Sequence, residues 1–331
     1  TMGRPLWRPP KVLFRPSDVG VAPDVLRRAV DRGAVVRICR GVYLAAPLVP
    51  DDPVESHLVR VAAAQMMRPD LVASHTSAAL AHGLPLLDRA HAAAGGATFT
   101  IEPLPTRRSG GRSRVVLRSL PADAVTAVCR PLVGDLRITT AARTAIDLAC
   151  DLPLAESLMI ADVVARSSVT GIAAPRDLRG PLSERVRDVA LRPLREASAA
   201  PIHTQRRVRR VIELTDPRRE SPGESLSFGR IVAAGLPAPD CQRGFNLSGG
   251  MVFVDFWWDD FKLAGECDGK VKYDGTFGPD DGVLVREADR QHQLREAGVD
   301  VVRWRAADMM FRPSPVLDRM AARLRARGWC G

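Results

Sequence analysis

Apolar positions recur at helical spacing from the first third of the chain. Leu26, Ala29 and Val30 share one face of a helix that Pro23 opens and Gly33 closes, while Arg27, Arg28 and Arg32 project elsewhere. Ala34–Cys39 and Val42–Leu44 then read as two short strands around an Arg40-Gly41 turn. Asp52-Pro53-Val54-Glu55 predicts a capped helix running to about Met67, and Thr98–Glu102 and Arg114–Arg118 read as strands. Ser183–Glu196 and His203–Leu214 read as helices. Leu226, Phe228, Ile231 and Val232 give an amphipathic helix from Ser221 to near Gly235. Gln242–Leu247, Met251–Trp258 and Phe261–Asp268, separated by Gly249-Gly250 and Asp259-Asp260, predict a three-stranded meander.

The length, 331 residues, accommodates two or three domains, and 46% hydrophobic with 26% charged residues is ordinary for a packed protein. No window approaches the ~18 consecutive apolar residues of a membrane span, and the N-terminus lacks a signal-peptide pattern. A cytoplasmic protein with no membrane partner is expected. Six scattered cysteines, with no C-x-x-C pair, suggest reduced thiols instead of a zinc cage or disulfide framework. His75 lacks a second metal ligand at helical spacing and is read as packing at, or capping, a helix start.

Charge changes this picture. The net charge is +10, and residues 1–45 carry nine basic and three acidic residues, whereas 216–331 carry seventeen and eighteen. A helix followed by a basic hairpin suits a winged helix-turn-helix, with Arg27, Arg28, Arg32, Arg37 and Arg40 directed to double-stranded DNA. A solvated helix face with an Arg27–Asp31 pair is the alternative. Arg206, Arg207, Arg209 and Arg210 crowd a second helix that could track a DNA backbone or lie in solvent. Arg107, Arg108 and Arg112 sit in a Gly-containing loop better read as a solvated turn. With 5% aromatic residues, a stacking RNA-binding surface is disfavoured.

The order helix, Gly33, strand, Arg40-Gly41-Val42-Tyr43, strand resembles the N-terminal winged helix of AbiEi-family antitoxins from type IV toxin–antitoxin systems. Ala73-Ser74-His75-Thr76-Ser77-Ala78-Ala79, Gly83-Leu84-Pro85 and Ile138–Ala149 are similar to that family's middle segments. The resemblance spans about Leu13 to Cys150 and implies a DNA-binding regulator with a cognate toxin protein as partner. Pro5, Pro9, Pro10 and Pro16 depart from it, leaving little room for a full first helix.

The densest chemistry lies in the C-terminal third. Asp255 stands in an apolar strand, where an unpaired carboxylate is costly, and alternation puts Glu266 and Asp268 on one face of the next strand. If Asp255 faces the same cleft, three carboxylates converge, a donor set that hard cations such as Mg²⁺ or Mn²⁺ favour. Ser221 and Glu224 fit a capping box. Cross-strand pairing with Lys262, Lys270 and Lys272 is the structural alternative.

Glu224, Asp255, Glu266-Cys267-Asp268-Gly269 and Arg286–Arg290 before Leu294, Gly298 and Val301-Val302-Arg303 together resemble the very-short-patch-repair-endonuclease-like domain of the restriction-endonuclease-like superfamily, over about Pro217 to Arg305. That resemblance implies a central mixed sheet flanked by helices and Mg²⁺-dependent DNA hydrolysis. Asp255, Glu266 and Asp268 would be metal ligands, Glu224 an accessory acid, and Lys270 or Lys272 the displaced catalytic lysine. Asp268 occupies the place where the usual pattern has that lysine, so cleavage is either carried by a migrated lysine or lost. The expected architecture is a multidomain α/β protein: a winged helix-turn-helix at 11–46, an AbiEi-like α/β domain at 47–150, a helical connector at 151–215 and an endonuclease-like α/β domain at 216–331. A Mg²⁺-dependent endonuclease and a non-enzymatic repressor or antitoxin both follow from that order.

Overall fold

Pro23 begins α1 (Pro23–Asp31), where its missing N–H costs nothing, and Gly33 ends the turn at φ 68°. The computed structural model describes residues 7–101, 114–115, 122–130, 132–199, 204–248, 250–268 and 292–331. Lys270, Lys272 and the Arg107, Arg108 and Arg112 loop lie outside them. The architecture is mixed α/β, and the chain divides into two compact units, Thr1–Leu148 and Ala149–Gly331. Segment 151–215, read from sequence as a connector, falls in the second unit. Among the described residues no helix is long and apolar enough to cross a membrane.

In the first unit α1 buries Leu26 and Ala29 against Phe14 and Val35, but Val30 is exposed. β1 (Val35–Cys39) and β2 (Val42–Ala45) form an antiparallel hairpin turned by Gly41. Phe14 bridges to Tyr43 with two 3.0 Å backbone hydrogen bonds, one in each direction. Among described residues 7–22 there is this bridge and a turn but no helix, so the two-helix part of a helix-turn-helix is not formed there. Pro9, Pro10 and Pro16 explain why, since each removes a backbone donor.

α2 (Pro53–Met67) is capped by Asp52, whose Oδ1 accepts the Glu55 N–H at 2.9 Å. β3 (Leu71–Ala73), α3 (His75–His82), α4 (Arg89–Ala94), β4 (Thr98–Ile101), β5 (Arg114–Val115), β6 (Val125–Arg130) and β7 (Gly134–Thr139) follow. They build a mixed sheet in the order β5-β4-β3-β7-β6, with β4 and β5 parallel. Val42 and Leu44 from the hairpin share one core with Leu58, Val61, Leu80 and Ile138, so hairpin and sheet are a single packed body. His75 is buried at the start of α3, its Nδ1 2.9 Å from Ser74 Oγ. The unit boundary falls within α5 (Ala141–Asp151).

The second unit holds α6 (Leu154–Ser168), α7 (Glu184–Ser198), α8 (Gln205–Leu214) and α9 (Pro222–Ala233), followed by β8 (Asp240–Leu247), β9 (Gly250–Trp258) and β10 (Leu263–Asp268). β11 (Asp300–Arg305), α10 (Ala306–Phe311) and α11 (Pro313–Arg325) close the chain. β8, β9 and β10 are the expected antiparallel meander, and β11 adds parallel to β10. α9 covers one face: Ser227 Oγ accepts from Trp304 Nε1 at 2.9 Å and lies 3.6 Å from Cys267 Sγ. Leu294 and Val299 cover Trp257 and Ala264, which alternation places on the other face.

α6 lies hard against α9. A Cβ at Gly229 would stand 2.3 Å from the Ala155 Cα, so only glycine permits this approach. Asp162 of α6 receives both arms of Arg219 at 2.6 and 2.9 Å, with each side chain 1% exposed. The Asp216 N–H also donates to Asp162, and the Arg219 guanidinium stacks over Phe228 at 4.2 Å. Burial alone would lower the Arg219 pKa, but the adjacent Asp162 charge raises it overall and keeps the guanidinium charged.

Candidate functional site

Two sets of arginines were expected to meet DNA. In the first unit Arg27, Arg28, Arg32, Arg37 and Arg40 are all exposed, while the apolar side of the same helix and hairpin is buried. Arg28 is paired with Asp24 at 2.6 Å, one turn earlier, and the Arg27–Asp31 pair allowed by the spacing is not formed. In the second unit Arg206, Arg207, Arg209 and Arg210 are exposed along α8, whose Val208 and Val211 are buried. Arg207 donates to the Leu152 carbonyl, leaving the other three directed outward.

Glu224, Asp255 and Glu266 each meet protein groups. Glu224 lies in the first turn of α9, where its N–H donates to Ser221 Oγ at 3.2 Å and its Oε1 accepts the Ser221 hydroxyl at 2.8 Å. Its Oε2 accepts the Glu220 N–H at 2.8 Å, completing a capping arrangement shifted by one residue from the usual box. Gln242 Nε2 lies 3.4 Å from Glu224 Oε2 and 3.3 Å from Asp255 Oδ1, joining helix to strand. Asp255 Oδ2 accepts the Cys267 N–H at 2.9 Å. Glu266, by contrast, pairs with Arg303 at 2.5 Å, its partner in the parallel β10–β11 register. Asp268 is exposed at the end of β10.

Gln242 can reach both carboxylates because its backbone is left-handed, φ 54°, interrupting the regular β8–β9 pairing. Its carbonyl accepts the Gly180 N–H at 3.0 Å, which brings the loop before α7 alongside. From that loop Arg179 makes a two-armed contact with Glu220 at 2.7 and 3.0 Å. Its hydrogen bond to Glu220 raises the Arg179 pKa, and the charges of Asp255 and Glu224 add to the effect. Burial pushes the Glu224 carboxyl above its ordinary range, against the hydrogen bonds from Glu220, Ser221 and Gln242. Burial pushes the Cys267 thiol up to about 12, against the hydrogen bond with Ser227, and the charges of Asp255, Glu224 and Asp268 add to the rise.

Among the described residues no group of three or more His, Cys, Asp or Glu side chains could hold a metal ion. Both Asp255 oxygens lie within hydrogen-bond reach of protein donors, and a Glu266 oxygen contacts the Arg303 guanidinium.

The sequence pattern marks Glu224 and Asp255 but carries no sign of a role for Gln242, Arg179 or Arg303. Arg303 was visible as part of a Val-Val-Arg pattern, without a sign of its partner; neither of the others carries a local signal. No protein-family model matches the chain, and no curated protein matches it.

Proposed function

We propose that the protein binds double-stranded DNA through α1 and the β1–β2 hairpin and holds it without cutting, in the manner of a repressor or antitoxin. The observation that carries this reading is the outward display of Arg27, Arg32, Arg37 and Arg40 above a buried apolar face, which leaves guanidinium groups available to phosphates. The Glu266–Arg303 ion pair favours the non-hydrolytic form, because that carboxylate already has a cationic partner. A cytoplasmic setting and a cognate toxin protein belong to the same proposal.

A second reading, a Mg²⁺- or Mn²⁺-dependent endonuclease, is favoured by one observation. The order α9, three antiparallel strands, a helical stretch at 292–296 and a parallel strand places Glu224 and Asp255 together through Gln242, as an endonuclease-like sheet would. One experiment separates the two. Supercoiled, linear and mismatched duplexes are incubated with the protein in Mg²⁺, Mn²⁺ or EDTA, and binding is read in parallel by gel shift. Retarded but uncut DNA under every condition is the expected result. Metal-dependent cutting that Asp255→Ala and Glu266→Ala both abolish establishes the second reading instead, and absence of any shift removes the first.

A further inference from the structure

We infer that the groove between α7 and α8 receives an acidic amphipathic helix of a partner protein. This site is separate from α1 and the hairpin, and the proposal does not depend on the DNA-binding reading. The groove encloses about 540 Å³. α7 contributes Arg187, Leu191 and Arg195 at successive four-residue intervals, which is one helix face. α8 contributes Val208 and Ile212, four residues apart, with Arg209 three residues before Ile212 on the adjoining row.

The lining is therefore ordered by chemistry. Leu191 and Val208, both buried, and Ile212 make an apolar floor, while Arg187 and Arg195 stand on one wall and Arg209 on the other. The acidic residue in the lining is Glu213. Arg195 shares Asp188 with Arg192, but among the described residues Arg187 and Arg209 make no ion pair, so their charge is not locally neutralised.

An occupant must match an apolar strip bordered by positive charge on both sides. A helix with leucine-like residues at i, i+3, i+4 and i+7 and Asp or Glu beside them does so, and two adjacent helices offer the ridges against which a third packs. A nucleotide base fits less well, since none of the lining residues is aromatic and stacking is lost.

The test uses the full chain and a fluorescein-labelled synthetic peptide of about four turns, with Leu at the i, i+3, i+4 and i+7 positions and Glu flanking them. Anisotropy should show saturable binding that weakens about tenfold in Arg209→Glu and in Arg187→Glu. A peptide with Lys in place of Glu should regain affinity for those two variants. Both sites are exposed, and circular dichroism confirms that the variants fold; Arg209→Gln gives a milder change if either does not. The proposal is overturned if no peptide binds, if a Ser-for-Leu peptide binds equally well, or if neither reversal matters. It is equally overturned if a short duplex displaces the peptide and loses affinity on the same substitutions, which marks the groove as a DNA surface. DNA binding by Arg27 and Arg32 variants is measured separately, so either result stands without the other.

Discussion

Arg303 lies 2.5 Å from a carboxylate oxygen of Glu266, its direct partner across the parallel β10–β11 ladder. Glu266 is almost wholly buried, so removing the guanidinium leaves a carboxylate in a poorly solvated place. Arg303→Ala should lower unfolding stability by about 2–3 kcal/mol in urea titration, and Glu266→Gln by less, since a neutral amide needs no counter-charge. A change in Arg303→Ala within measurement error would show that the pair contributes nothing. Millimolar Mg²⁺ should leave the wild-type Tm where it is, because a cation bound only by the folded chain would raise it.

Gly229→Ala tests the closeness of α6 and α9. Alanine favours an isolated helix by about 1 kcal/mol over glycine, so an open site would be stabilised. Here the new methyl meets the Ala155 backbone, and the expected outcome is a loss of about 1–3 kcal/mol, read as a lower urea midpoint at unchanged m. A stabilised variant would mean that the helices separate easily.

His57 and His82 give the first unit a pH dependence. Burial holds both imidazoles below their ordinary pKa, opposed by hydrogen bonds to the Ala93 and Thr139 carbonyls. The unfolded chain takes up these protons near pH 6.5, and the folded chain only at lower pH. Between the two the unfolded state binds more protons, so stability is full above about pH 6.5 and is lost as pH falls, by at most about 1.4 kcal/mol per pH unit per histidine. Amide hydrogen exchange in α2 and α3 should follow that slope, and His57→Gln should flatten it. An unaltered slope in both His57→Gln and His82→Gln would assign the acid sensitivity to other groups.

Arg27→Ala and Arg32→Ala, made singly, should each weaken duplex binding about uniformly across sequences and reduce the salt slope of log K by roughly one. Arg28→Ala should do less, because Asp24 already holds that side chain. The reverse order would place the contact on a different face of α1.

Local signals account for what the sequence reveals here. Ser221 and Glu224 mark the start of α9, Asp52 and Glu55 that of α2, and Gly250 and Asp259-Asp260 mark off the strands of the meander. What was hidden depends on contacts between distant segments. α6 is buried over most of its surface, so its apolar residues have no polar face to set a period within the helical segment expected at 151–215. Val30 sits one position away from the buried face of α1, an offset that only the packing of Phe14 and Val35 decides. Gln242 adopts a left-handed backbone that glutamine does not advertise, and the Glu266–Arg303 match depends on the register of two parallel strands far apart in the chain.

The Asp162–Arg219 contact also decides where this molecule can be divided. A fragment beginning at residue 216 would keep a guanidinium stacked on Phe228 while discarding the carboxylate that makes its burial tolerable, and would bare the side of α9 that Gly229 presents to Ala155. A piece for study in isolation must accordingly begin before α6, so that α6, α7, α8 and α9 are kept together with the four-stranded sheet.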